Sequence, residues 1–109
     1  MTLFRSIDPA SGAIVWEGAA ATPAECEAAV ARARAALPAW RNAALEDRIA
    51  VVRRYAEVLE ADREDFAALL SRETGKLLWE TRAEVGSMIG KVAVSICLLY
   101  TSPSPRDRG

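Results

Sequence analysis

No histidine occurs in the 109 residues, which removes at once the commonest general base and the commonest metal ligand. Cysteine is scarce as well. Cys26 and Cys97 stand far apart and outside any C-x-x-C spacing, so neither a zinc site nor a dithiol pair is expected, and a reducing compartment is the easier reading. Long apolar runs are missing too. The longest, over residues 92–100, is interrupted by Ser95 and falls far short of the roughly 20 apolar residues of a membrane-spanning helix. Met1-Thr2-Leu3-Phe4-Arg5-Ser6 carries no continuous apolar segment of the secretory kind. A soluble cytoplasmic protein with no membrane partner is expected. Lysine is limited to Lys76 and Lys91, and the arginines are scattered through a chain of net charge −1. That pattern excludes the basic stripe of a nucleic-acid binder.

What is present suits one small globular domain. The hydrophobic fraction of 51% against 27% charged residues is that of a chain with enough apolar surface to bury, not of a disordered one. Asp8-Pro9-Ala10-Ser11-Gly12 reads as a turn, and Ile14-Val15-Trp16-Glu17 after it as a β-branched and aromatic strand. Together they predict a short N-terminal hairpin. Thr22-Pro23-Ala24-Glu25 then announces a helix by a capping box with proline at the first helical position. Cys26, Ala29, Val30, Ala33 and Leu37 form its apolar stripe, and Pro38 is expected to end it.

Leu45, Ile49, Val52, Ala56 and Leu59 recur at alternating spacings of four and three, the face of a second amphipathic helix. Asp62 is placed to cap a third, with Phe66, Leu69 and Leu70 as its buried side and Gly75 as its stop. A fourth begins near Leu78 or Trp79 and carries Val85, Ile89, Val92 and Ile96 on one face. Gly86 and Gly90, one turn apart on it, are expected to let another backbone approach. The fold class from periodicity alone is mainly α with a short N-terminal β-hairpin. After Ile96 the character changes, and Pro103 and Pro105 appear close together. The stretch from Cys97 to Asp107 resembles the translation of a transposase-type sequencing adapter. Residues 1–96 are therefore expected to be the native part and 97–109 a non-native tail.

Single residues that invite a chemical role have plainer readings. Cys26 sits in a first helical turn, where a thiol pKa falls, but it lies on the apolar stripe and lacks a histidine partner. Glu73, Glu80 and Glu84 read as helix-end and solvated charges rather than a general base. Lys76 follows Gly75, yet a lone G-K lacks the glycine-rich loop of a phosphate site. Trp16, Trp40 and Trp79 read as packing residues. No catalytic, cofactor-binding or metal-binding residue is expected in this chain.

Four blocks in order then carry a resemblance. Asp8-Pro9-Ala10-Ser11-Gly12 is similar to an N-P-A-T-G turn, and Ala33-Arg34-Ala35-Ala36-Leu37-Pro38-Ala39-Trp40 to an A-x-x-A-F-x-x-W block. Arg48 matches an arginine at the head of a helix, and Arg72-Glu73-Thr74-Gly75-Lys76 with Trp79-Glu80 and Glu84-Val85 matches E-T-G-K…E-V. All four are blocks of the aldehyde dehydrogenase family, near its N-terminus, and they cover essentially all of residues 4–96. Val15-Trp16-Glu17-Gly18 and the run Met88-Ile89, Lys91, Val94-Ser95-Ile96 resemble more particularly the branch acting on succinylglutamate semialdehyde in bacterial arginine catabolism. Leu77 departs from the family, which usually has proline there.

The resemblance implies that the chain is a truncated part of the α/β NAD(P)-binding domain of an aldehyde dehydrogenase. In the parent enzyme a cysteine thiolate attacks the aldehyde carbonyl, amide donors hold the oxyanion, hydride passes to the nicotinamide of NAD or NADP, and a glutamate activates water against the thioester. The family places those groups downstream of this segment, so none maps onto a residue here. It also implies a small-molecule aldehyde substrate and a homo-oligomeric parent. The competing reading is a free-standing helical interaction module whose apolar faces close on each other or on a partner.

Overall fold

The computed structural model describes residues 2–101, and their side-chain surroundings through residue 99. The chain is mainly helical with one antiparallel hairpin. Strand β1 (Leu3–Ile7) pairs with β2 (Ile14–Ala19), Phe4 opposite Gly18 and Arg5 opposite Glu17, with an irregularity between Ser6 and Ile7. Cross-strand charges meet there: the Arg5 Nε–H donates to Glu17 Oε2 at 2.6 Å. The expected turn is tied by Asp8, whose Oδ1 accepts the Ala10 N–H at 2.8 Å and whose carbonyl accepts the Gly12 N–H at 2.8 Å. At the far end of the hairpin the Trp16 ring closes over Gly18, where any Cβ would stand 2.4 Å from it.

Helix α1 (Pro23–Asn42) begins with the expected reciprocal cap. The Glu25 N–H donates to Thr22 Oγ1 at 3.2 Å, and the Thr22 N–H donates to Glu25 Oε2 at 2.7 Å. Two expectations about this helix are corrected. Pro38 does not end it: the helix runs through the proline and closes at Ala43, whose N–H reaches the Ala39 and Trp40 carbonyls. One proline removes one ladder bond and crowds one carbonyl. The helix-forming Ala35, Ala36 and Leu37 before it and Ala39 after it sustain the helix on both sides. Nor is the stripe from Cys26 to Leu37 buried, since no α1 residue is; Val30 keeps 63% of its surface exposed.

The core lies among α2 (Leu45–Ala61), α3 (Arg63–Thr74) and α4 (Leu78–Thr101). The predicted α2 face holds: Ile49 and Leu59 are buried, and Leu45, Val52 and Ala56 half-buried. On α4, Val85 is fully buried, with Ile89, Val92 and Ile96 half-buried behind it. Asp62 joins α2 to α3 through its backbone. Its N–H donates to the Val58 carbonyl, and its carbonyl accepts from Phe66 N–H. The expected side-chain cap is not made, because φ −101° and ψ 14° put the residue outside the extended conformation a capping side chain needs.

The buried side of α3 is also corrected. Ala67 is fully buried, Phe66 and Leu70 half-buried, and Leu69 exposed, because α4 crosses close enough for only a methyl group to fit. The backbone approach expected at Gly86 and Gly90 is not made: a notional Cβ at Gly90 meets no atom within 4 Å, and one at Gly86 meets only the tip of the Arg63 side chain, at 3.1 Å. Beyond Ile96, α4 continues unbroken to Thr101. The remainder of the expected tail, from Ser102, lies outside the described residues.

A radius of gyration of 18.3 Å exceeds the ~13 Å of a compact domain of about 100 residues. α1 buries no residue, and apolar faces of α2 and α4 remain open.

Candidate functional site

The most elaborate local construction is the junction between α3 and α4, where the Arg72–Lys76 block meets the Asp8–Gly12 turn. Gly75 ends α3 in the left-handed region, φ 78°, and its N–H donates to the Ser71 carbonyl at 2.9 Å. A Cβ on Gly75 would stand 2.9 Å from Pro9 Cγ. The hairpin turn therefore seats on the helix end, and only glycine satisfies both the dihedral and the contact.

Side chains lock the short connection that follows. Ser71 Oγ–H donates to the Lys76 carbonyl at 2.7 Å, Thr74 Oγ1–H to the Leu70 carbonyl at 2.7 Å, and the Lys76 N–H to Thr74 Oγ1 at 3.3 Å. The Leu77 N–H donates to Glu80 Oε2 at 3.2 Å, capping the start of α4.

Charges brace the same junction. Lys76 Nζ pairs with Glu84, and Arg82 Nε with Glu64 at 3.2 Å across α3 and α4. The Glu84 carboxylate holds the Lys76 ammonium above its ordinary range, with Glu80 adding to the effect. The Ala10 N–H holds the Asp8 carboxyl below its ordinary range; Ser11 and, more weakly, Arg72 act in the same direction. These groups are solvent-exposed, so the pairs orient the elements and contribute little stability.

One residue that the sequence reading did not single out lies at the centre of the packing. Thr81 is fully buried, and its Oγ1–H donates to the Ala67 carbonyl at 2.8 Å, with the Leu78 carbonyl at 3.1 Å. The signal was its place one turn before Val85, on the stripe that continues to Ile89.

The residues with tempting chemistry are not brought together. Cys26 is exposed on α1, Glu73 is exposed at the end of α3, and Glu80 and Glu84 are engaged as cap and ion pair. Trp16, Trp40 and Trp79 keep 54%, 43% and 66% of their surfaces exposed, so none is a core residue within this chain. Among the described residues no three His, Cys, Asp or Glu side chains cluster as a metal site would need, and no helix is long and apolar enough to cross a membrane.

The residues also do not fit the pyrophosphate of a nicotinamide dinucleotide, which favours a helix N-terminus with free N–H groups and no local negative charge. Here every helix carries acid in its first turn: Glu25 on α1, Glu46 and Asp47 on α2, Glu64 and Asp65 on α3, Glu80 on α4. Gly75 is closed by Pro9, and Gly86 and Gly90 lie within α4 rather than in a loop. A concavity of about 660 Å³ runs between α2 and α4, with Ala56, Ile89, Val92 and Ala93 among its lining residues.

Comparison with known proteins agrees with the blocks that meet at this junction. The chain is 57% identical over 91 residues to the N-succinylglutamate 5-semialdehyde dehydrogenase of Caulobacter sp., a match covering 84% of the chain and 19% of that protein. A second such enzyme, from Caulobacter vibrioides, is 56% identical over the same length and coverage. The Chromohalobacter salexigens enzyme of the same name is 47% identical over 105 residues, 96% of the chain and 22% of that protein. The chain thus spans about a fifth of the length of these relatives. The family model for aldehyde dehydrogenases matches residues 1–101. With the Asp8 turn seated on Gly75 and the block around it in family order, the chain belongs to the aldehyde dehydrogenase family.

Proposed function

We propose that this chain is the N-terminal part of the cofactor-binding domain of an NAD(P)-dependent aldehyde dehydrogenase, one that oxidises succinylglutamate semialdehyde to succinylglutamate in arginine catabolism. The observation that carries the substrate is the 57% identity over 91 residues to a relative named for it. The native part extends through Ile96. The segment alone is inactive: it contributes no catalytic, cofactor-binding or metal-binding residue, and NAD or NADP is held by parts of the parent outside it. What supports this is the acid carried in the first turn of α1, α2, α3 and α4.

The parent is a cytoplasmic homo-oligomer whose partner is a small aldehyde, with no nucleic acid or membrane involved. The open faces of α2 and α4 are then surfaces for the rest of that domain. The test compares the complete open reading frame with the isolated chain, following reduced nicotinamide formed from succinylglutamate semialdehyde. Turnover by the complete enzyme and none by the chain is the expected result. Reduction of NAD or NADP by the purified chain would overturn the inactive-fragment reading, and a complete enzyme that ignores this aldehyde but accepts others would overturn the substrate.

A further inference from the structure

We draw no further inference here: the strongest candidate, the apolar groove between α2 and α4 floored by Ala56, Ile89, Val92 and Ala93, carries nothing beyond the proposed function because nothing in the structure shows what covers it.

Discussion

Replacing Gly75 with alanine should loosen the α3–α4 junction through two separable effects. The first is conformational: an L-residue held at φ 78° costs about 1–2 kcal/mol. The second is steric: the added methyl would stand 2.9 Å from Pro9 Cγ, and because a proline ring cannot swing aside, the hairpin turn or the helix end must shift, at a cost of about 1–3 kcal/mol. Together they amount to roughly 2–5 kcal/mol, which speeds amide exchange through local opening about 30-fold to several-thousand-fold. Hydrogen exchange of the amides from Ser71 to Thr81 reads this directly and does not require the chain to unfold in one step.

Two companion variants separate the causes. Gly75→Asn keeps the Cβ against Pro9 while tolerating the left-handed backbone, so it retains the steric part. Pro9→Ala removes the ring, so Gly75→Ala on that background should show the conformational part alone. If Gly75→Ala exchanges within twofold of the parent chain, or if its effect is the same with and without Pro9, then the seating of the turn on the helix end is not what holds this junction.

The other expectations are smaller. Thr81→Val keeps shape but removes the donor to the Ala67 carbonyl and should cost about 1 kcal/mol, seen as faster exchange in α3 and α4, while Thr81→Ser should retain the bond; equal exchange in both would count against it. In a peptide spanning residues 20–44, Thr22→Ala should lower helix content by circular dichroism, since losing a cap costs about 1 kcal/mol. Pro38→Ala in that peptide should raise it, and an unchanged spectrum would mean that α1 depends on contacts elsewhere. Asp8 should titrate below an ordinary aspartate by carbon NMR. Its contribution to the turn is then fully present above the unfolded value and is lost as pH falls through the folded one. Lys76 behaves in the opposite sense: its pairing contributes fully below the ordinary lysine value and is lost as pH rises through the elevated one.

Elements were legible in the sequence where local chemistry decides them. The Thr22–Glu25 box, the Gly75 stop and the four-three spacing from Leu45 to Leu59 each act within a few residues, and each stands in the structure as expected. Pro38 does not stop α1, because the alanine-rich helix on either side of it carries the cost of the lost bond. Asp62 misled because residue type alone does not reveal that two helices abut, leaving no extended residue to cap. What lay deepest was least visible: Ala67 and Thr81 look unremarkable on helical wheels, and only the close crossing of α3 and α4 selects a methyl on one and a hydroxyl on the other. The candidate site was legible as blocks but not as a contact, since nothing local says that Pro9 rests on Gly75.

That contact sets an order of events during synthesis. A two-stranded ribbon is marginal by itself, and its seat is manufactured only when the ribosome has delivered the end of α3. Until then β1 and β2 have nowhere to dock. α1, which carries its own cap and buries no residue, has no such wait. The nascent chain should therefore show α1 before it shows a settled hairpin, with β1 and β2 among the last parts of this segment to come to rest.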